Sequence, residues 1–158
     1  MKKISVYSDG GCRMENNTKG NTVKPTDKSG YAFRIESDGV IFQDGKGMYG
    51  KTNNQMELTG YTAALEWLIK NDYTDASITS YLDSQYVLKG IQEWMSNWKK
   101  NGWKNSKKQP VANKDEWVKL DSLLVQFPSI SYEWVKGHAD TEGNNAVDRL
   151  LNEKMDGL

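Results

Sequence analysis

Four carboxylate residues, each in its own setting, are the part of this chain best suited to chemistry. Asp9 and Asp83 each end a strand-like run, and Glu57 opens a helical pattern. Asp148 lies on the last predicted helix, ten residues after the only histidine. Carboxylates at the ends of central strands point into the crevice where α/β proteins bind ligands. Converging carboxylates repel one another unless divalent cations lie between them, and oxygen ligands without a cysteine cluster favour Mg²⁺ or Mn²⁺ over Zn²⁺.

Each carboxylate also has a purely structural explanation. Asp9, which precedes two glycines, could be a turn residue, and Asp83 could cap the next helix. Glu57 could complete a capping box with Asn54. Asp148 could be a solvated charge on an amphipathic helix. Taken one at a time, these explanations compete with the metal-site interpretation.

The elements that must position the carboxylates follow from hydrophobic periodicity and turn residues. Strands are predicted at residues 3–9, 30–36, 40–48, 76–83 and 130–135, and helices at 54–71, 84–99, 113–126 and 144–155. We expect a break in the second helix near Gly90 and a long first loop at 13–29. This order predicts an α/β fold with a five-stranded mixed sheet flanked by helices, in which an early hairpin forms the antiparallel edge.

Length and composition indicate one domain over residues 1–158, because 37% of the residues are hydrophobic and can form a core. No apolar run is long enough to span a membrane, and the N-terminus lacks a signal-peptide stretch. The single cysteine cannot form an internal disulfide. We therefore expect a cytoplasmic protein without a membrane partner. No apolar surface stripe requires a protein partner, so a monomer is expected.

The net charge is zero, but the charges are unevenly distributed. From Trp94 to Lys114 there are six lysines, three tryptophans and no Asp or Glu. A local basic and aromatic patch is typical of a surface that binds a polyanion. The structural alternative is a solvated helix face whose tryptophans point into the core, and we expect both to hold in part.

Four motifs carry a family resemblance. They are Asp9-Gly10-Gly11-Cys12, Thr52-Asn53-Asn54-Gln55-Met56-Glu57-Leu58, Asp83-Ser84-Gln85-Tyr86-Val87 and Trp134-Val135-Lys136-Gly137-His138-Ala139. In this order and spacing, the chain from Lys3 to about Glu153 resembles type 1 ribonuclease H, the bacterial ribonuclease HI-like group. If the four carboxylates had only structural roles, their match in order and spacing to the metal-site residues of one family would be a coincidence.

The resemblance implies the ribonuclease H-like fold and an endoribonuclease that cuts the RNA strand of RNA–DNA hybrids. Asp9, Glu57, Asp83 and Asp148 would hold two Mg²⁺ ions, with Mn²⁺ as a substitute. One ion would activate the attacking water and the other would stabilise the leaving oxygen, giving 5′-phosphate and 3′-hydroxyl ends. His138, the only histidine, would assist proton transfer and product departure, although a lone histidine is more often structural.

The resemblance also implies the substrate contacts. Asn54 and Gln85 would contact 2′-hydroxyls in the RNA minor groove, since an amide offers both a donor and an acceptor. Thr52 would hold a phosphate of the DNA strand. Cys12 matches a small residue beside the site, although a buried free thiol is the alternative. The remaining predicted substrate-binding residues are Asn53 and, in a basic protrusion at about 91–113, Trp94, Trp98, Lys99, Lys100 and Lys104.

The clearest departure from the family pattern is the first loop, which at 13–29 is longer by roughly ten residues, within the range that loops tolerate. No contact is assigned to it. Two rival functions remain. One is a non-catalytic module that binds hybrids. The other is a different nuclease with the same fold, such as an exonuclease or an integrase.

Overall fold

The computed structural model describes residues 2–14, 22–136 and 142–158. Five strands form one sheet: β1 (Lys3–Arg13), β2 (Lys28–Ser37), β3 (Val40–Tyr49), β4 (Ser77–Leu82) and β5 (Ile130–Trp134). The helices are α1 (Asn53–Lys70), α2 (Gln85–Lys89), α3 (Met95–Lys100), α4 (Lys114–Leu124) and α5 (Glu142–Asp156).

The sheet has the order β3-β2-β1-β4-β5. β1 runs antiparallel to β2, and β2 runs antiparallel to β3, whereas β1, β4 and β5 are parallel. The predicted α/β fold with a five-stranded mixed sheet is therefore confirmed. The predicted hairpin is also confirmed, because Asp38 and Gly39 both have positive φ, as a two-residue turn between twisted strands requires.

Part of the predicted first loop is strand. Cys12 pairs with Ser29 and Arg13 pairs with Lys28, so β1 continues beyond Asp9. The sequence pattern did not predict this extension, because glycines interrupt the apolar alternation there. Residues 15–21 of the predicted loop lie outside the described residues.

Helices pack on both faces of the sheet. On one face, α1 buries Leu58, Tyr61, Leu65 and Leu68 completely, as its predicted apolar stripe required. On the other face, α5 packs Val147, Leu151 and Met155 against β1 and β2. Each large apolar side chain buried in this way contributes about 1.5–3 kcal/mol. The central strand β1 is therefore fixed from both sides. None of the described helices combines the length and the apolar character that crossing a membrane requires.

The α-helix is interrupted at Gly90, as predicted, although the chain does not leave the helix there. The chain stays helical from α2 to α3 through a π-helical turn at 90–94. The ring of Trp117, which is fully buried on α4, occupies the space where a Cβ of residue 90 would lie. Gly90 therefore allows close helix packing here rather than ending the helix.

Candidate active site

Two parallel strands and one helix bring three carboxylates together. Asp83 directly follows β4, and Asp9 lies where β1 stops pairing with β4, since their last paired residues are Ser8 and Leu82. Glu57 projects from α1. One oxygen atom from each of the three carboxylates lies within 4.8 Å of the others. The prediction that Asp9 ends its strand is wrong, because β1 continues to Arg13. Asp9 instead marks the point at which two neighbouring strands separate.

Gly10 allows α1 to approach β1 this closely. A Cβ on residue 10 would overlap the backbone carbonyl of Met56 and the backbone nitrogen of Glu57. The Gly10 backbone N–H also donates to Asp9 Oδ1 at 2.9 Å. The glycine after Asp9 thus positions two of the three carboxylates at once.

The caps of the neighbouring helices do not use these carboxylates. Thr52 caps α1, its hydroxyl oxygen accepting from the Gln55 N–H at 3.1 Å, and Gln55 returns a bond to the Thr52 N–H at 2.9 Å. The predicted capping box of Asn54 and Glu57 is wrong, because the helix begins at Asn53 and its third residue is Gln55.

Asp83 is not a helix cap either. Ser84 caps α2, with its hydroxyl oxygen accepting from the Val87 N–H at 3.2 Å. The capping explanation for Asp83 is therefore wrong. Glu57 and Asp83 form, together with Asp9, a cluster of three carboxylates that we call the acidic group.

Asp148 stands apart from the other three carboxylates. It is exposed on α5 and is not a member of the 4.8 Å group. It nevertheless lines the same cleft as Asp9 and Asp83, which has a volume of about 420 Å³. The structure therefore brings one oxygen from each of three predicted ligands within 4.8 Å of the others and places the fourth, Asp148, in the lining of the same cleft.

Burial and mutual repulsion make the acidic group hard to ionise. Burial raises the pKa of Asp9 to about 7, and repulsion from Asp83 adds to the shift. Burial likewise raises the pKa of Glu57 well above its ordinary value, with Asp9 the next cause. The pKa of Asp83 is raised mainly by burial, and Asp148 raises it further. A nearby cation would favour the ionised forms of all three groups.

The donor set fits a hard divalent cation. Asp83 Oδ1 is buried and has no hydrogen-bond partner among the described residues. A buried carboxylate oxygen without a partner is costly, and a metal ion would satisfy it. The acidic group therefore has the chemistry of a divalent-metal site made of oxygen ligands.

We predict that Asp9→Asn stabilises the metal-free protein at neutral pH. In the unfolded chain Asp9 loses its proton near 3.8, whereas in the fold it keeps it until about 7. The unfolded state therefore binds fewer protons in this interval, and wild-type stability falls as pH rises from about 4 to 7. Asp9 is only partly buried, so solvent screens part of the effect, and we expect on the order of 1–2 kcal/mol.

Thermal unfolding in EDTA at pH 5 and pH 8 measures this effect. Asp9→Asn should melt about 2–6 °C above wild type at pH 8 and close to wild type at pH 5. Adding Mg²⁺ should raise the wild-type melting temperature more than that of the variant. Equal melting temperatures in EDTA at pH 8 would contradict the repulsion argument.

The predicted substrate residues are divided among several surfaces. Cys12 and Asn53 line the acidic cleft. The Cys12 thiol is partly buried, and burial raises its pKa. Cys12 is therefore both a residue beside the site and a partly buried thiol. Thr52, Asn54 and Gln85 are exposed at the starts of α1 and α2, beside the carboxylate-bearing segments but not among the cleft-lining residues.

The basic protrusion lies apart from the acidic cleft. Trp94, Trp98 and Lys104 line one groove with four polar side chains. Lys99 and Lys100 line another groove between α3 and α4. Lys99 Nζ lies 3.1 Å from Asp121, so this lysine is already paired within the protein.

The tryptophans of the protrusion pack on one another and on the core, in which Trp117 is buried. The ring centroids of Trp98 lie 5.8 Å from Trp94, 5.3 Å from Trp117 and 6.5 Å from Trp103. Trp117 Nε1 donates to the Tyr86 hydroxyl at 3.0 Å. The rings support the protrusion, while Lys100 and Lys104 are exposed on its surface.

The cleft has lining residues that the sequence interpretation missed. Asn144 and Asn152 lie four residues before and after Asp148, on the same face of α5. This i, i+4 spacing of polar residues was the available signal. The missed lining residues also include Arg13, Asn145, Leu151 and Met155. The predicted proton-transfer residue His138 lies outside the described residues.

The sequence matches the family model for RNase H over residues 1–156. This chain belongs to the ribonuclease H family. Ribonuclease H of Ruthia magnifica subsp. Calyptogena magnifica is 42% identical over 158 residues, covering 99% of this chain and 97% of the relative. Since similar relatives at about 40% identity are mostly bacterial, the protein is a ribonuclease HI-like enzyme, a hydrolase and nuclease.

Solved structures share the fold of this ribonuclease H. LC9-RNase H1, a type 1 RNase H with the type 2 active-site motif, superposes with a TM-score of 0.81 at 21% identity, covering 99% of this chain and 74% of that one. LC11-RNase H1 in complex with RNA/DNA hybrid gives a TM-score of 0.69 at 20% identity, and the match covers 98% of this chain and 97% of that one. The predicted ribonuclease H-like fold is thereby confirmed.

Proposed function

We propose that this ribonuclease H hydrolyses the RNA strand of RNA–DNA hybrids with two Mg²⁺ ions. The observation that carries the proposal is that one oxygen from each of three carboxylates lies within 4.8 Å of the others. Asp148 lines the same cleft. Asp9, Glu57 and Asp83 would hold metal between β1, β4 and α1, and Asp148 would contribute from α5. When bound, the ions lower the pKa of the attacking water and neutralise charge on the departing oxygen.

The protein's own groups would position the scissile phosphodiester and move protons. The P–O3′ bond breaks and water adds to phosphorus, leaving a 5′-phosphate on one product and a 3′-hydroxyl on the other. His138 would pass a proton near the departing product, because an imidazole exchanges protons near neutral pH.

Polar groups beside the cleft would recognise the hybrid. Asn54 and Gln85 would bond to 2′-hydroxyls from the starts of their helices, where both side chains are exposed. The Thr52 oxygen already accepts a capping bond, but its hydroxyl hydrogen remains available to donate to a phosphate. Cys12 and Asn53 would lie against the sugar–phosphate chain, because both line the cleft.

The substrate test uses three duplexes of one sequence: an RNA–DNA hybrid, an RNA duplex and a DNA duplex, each incubated with Mg²⁺. We expect cleavage of the RNA strand of the hybrid alone, with 5′-phosphate ends detected by a phosphate-dependent exonuclease. Binding of the hybrid without cleavage would instead support the non-catalytic module. Cleavage of the DNA duplex would indicate another nuclease type.

We propose that the protrusion at about 91–113 binds substrate phosphates through Trp94, Trp98, Lys99, Lys100 and Lys104. Changing Lys100 and Lys104 to Ala should raise KM about 3- to 30-fold and leave kcat within twofold, since the residues contact no reacting atom. The slope of log affinity against log salt should become shallower by up to about two units. Lys99→Ala should have less effect on KM, because Lys99 pairs with Asp121.

The matched control for the lysine variants is Lys119→Ala. Lys119 is an exposed lysine of α4, outside the protrusion, and lies 3.1 Å from Glu66. KM and the salt slope should remain at wild-type values in this variant. Unchanged KM in the Lys100 and Lys104 double variant at physiological salt would remove the phosphate-binding role.

A further inference from the structure

The first turn of α5 rests on an aromatic ring of the central strand. A Cβ added at Gly143 would lie 2.5 Å from Cζ of Tyr7 and 2.6 Å from both of its Cε atoms. A point nearly equidistant from these three carbons lies over the face of the ring, so Gly143 covers the hydroxyl-bearing end of Tyr7. A side chain at residue 143 would require either the ring or the helix to move.

The ring of Tyr7 has little freedom to move. Its centroid lies 4.9 Å from that of Tyr81, and the planes of the two stacked rings differ by only 13°. Tyr7 is 8% exposed and packs in one cluster with Ala32 and Val147. Because a closely packed interior transmits strain instead of absorbing it, added volume at residue 143 would displace the start of α5.

A second contact, with the sizes reversed, holds the later turns of α5. A Cβ at Gly11 of β1 would meet Leu151 Cδ2 at 3.5 Å. A Cβ at Gly30 of β2 would meet Met155 Cγ at 3.3 Å. The small residue is therefore on the helix at its start and on the strands further along. Together the two contacts fix the position and tilt of α5 on the sheet.

These contacts also show that α5 runs alongside β1 in the same direction. Gly143 contacts the sheet at Tyr7, and Leu151 contacts it at Gly11. The eight helical steps between the first pair and the second span about 12 Å. The four strand steps span about 13 Å. The helix and the strand therefore advance by nearly the same distance between the two contacts.

This register places Asp148 level with Asp9. Asp148 is five residues beyond Gly143, which is about 7.5 Å along a helix. Asp9 is two residues beyond Tyr7, which is about 7 Å along a strand. The contact between Gly143 and Tyr7 is therefore the reference from which the position of Asp148 along the sheet is set.

We propose that Gly143 and the stacked rings of Tyr7 and Tyr81 are positioning residues that set the level of Asp148 against the acidic group. Each ring precedes a strand-borne carboxylate of that group by two residues, so one stacked pair underlies both strand ends. A displaced α5 would move Asp148 relative to a cation held by the acidic group and weaken metal binding. The inference rests on the proposed two-metal function, which gives Asp148 its role.

Gly143→Ala tests the contact, because helix preference and the ring contact predict opposite results. Alanine favours a helix more than glycine does, so an unconstrained α5 would melt higher. We expect instead a melting temperature at least about 3 °C below wild type in EDTA. Titration calorimetry without hybrid should show Mn²⁺ binding weaker by about tenfold, the usual scale for a residue that orients a metal ligand. KM for the hybrid should stay within about twofold.

Tyr7→Leu supplies the compensating change, because leucine lacks the Cε, Cζ and hydroxyl atoms that the new Cβ would overlap. The double variant of Gly143→Ala and Tyr7→Leu should bind Mn²⁺ within about threefold of Tyr7→Leu alone, since residues in contact have non-additive effects. Tyr7→Phe keeps the ring and should bind Mn²⁺ like wild type. A loss in Tyr7→Phe would assign the effect to the hydroxyl and overturn the proposal.

Gly157→Ala is the matched control at the other end of α5. A Cβ there would lie 3.5 Å from the Glu153 carbonyl oxygen, an ordinary contact, so Mn²⁺ binding and melting should match wild type. Wild-type Mn²⁺ binding in Gly143→Ala would overturn the proposal, as would a double variant that binds no better than Gly143→Ala.

A further variant keeps the test decisive if Gly143→Ala does not fold. Tyr81→Ala removes the neighbouring ring without adding volume and should weaken Mn²⁺ binding by about threefold or more. Unchanged Mn²⁺ binding in Tyr81→Ala would then overturn the proposal. Wild type that binds Mn²⁺ but leaves hybrid intact would contradict the proposed function alone, because the calorimetric comparison needs no cleavage.

Discussion

Asp83→Asn should lower kcat for hybrid cleavage by at least about 1,000-fold and leave hybrid affinity within about twofold. Asn keeps the shape of the side chain but replaces an anionic oxygen, and Asp83 Oδ1 is the buried oxygen without a described partner. Weakening the hold on a metal that neutralises transition-state charge removes several kcal/mol of stabilisation, and each 1.36 kcal/mol is tenfold in rate.

Single-turnover cleavage of a labelled hybrid measures the rate, and fluorescence anisotropy measures binding. Glu133→Gln, an exposed carboxylate on β5, is the matched control and should cleave at the wild-type rate. Wild-type turnover in Asp83→Asn would show that the acidic group is not the metal site.

Gly10→Ala should impair both stability and activity, whereas Gly11→Ala should affect neither strongly. A Cβ at residue 10 overlaps the α1 backbone at Met56 and Glu57, and backbone cannot rotate out of the way. A Cβ at residue 11 meets Leu151 Cδ2 at 3.5 Å, an ordinary contact. Overpacking of this kind costs about 1–3 kcal/mol, and the displaced Glu57 should reduce kcat by about 100-fold or more.

The adjacent glycines form a controlled pair, because both lie in β1 and both line the cleft. Melting temperature and kcat should fall together in Gly10→Ala, the former by about 3–10 °C. If Gly11→Ala were impaired as strongly, loss of backbone freedom rather than the contact with α1 would explain the result.

The order of elements could be predicted from sequence because the apolar residues of α1 and β4 repeat with clear periods. The positions of the caps could not, since Thr52–Gln55 and Asn54–Glu57 both match the capping pattern, and only the true start of α1 distinguishes them. The form of the interruption at Gly90, a π-helical turn, could not be predicted for a different reason. A glycine at a helix contact has the same local sequence signal as one that ends a helix, and the Trp117 ring comes from far along the chain.

The candidate site was predictable to the extent that strand and helix ends define it. Asp9 and Asp83 meet because β1 and β4 are adjacent and parallel. The parallel pairing follows from the helix between the strands, whereas the adjacency of β1 and β4 was not predicted. The position of Asp148 outside the group of three depends on how α5 packs against the sheet, and no local pattern encodes that packing. Arg13 was missed because its role depends on the extension of β1, which the glycines concealed.

Arg13 also gives ionic strength a second way to act on this enzyme. It joins the end of β1 to α5, donating to Asn152 Oδ1 at 2.9 Å and to Asp156 at 2.6 Å, one and two turns beyond Asp148 respectively. Both charged partners of this ion pair are substantially exposed, so added salt weakens it. Salt therefore loosens the anchoring of the helix that carries Asp148 as well as screening lysine–phosphate attraction. The helix effect would change kcat, whereas the screening effect would change KM.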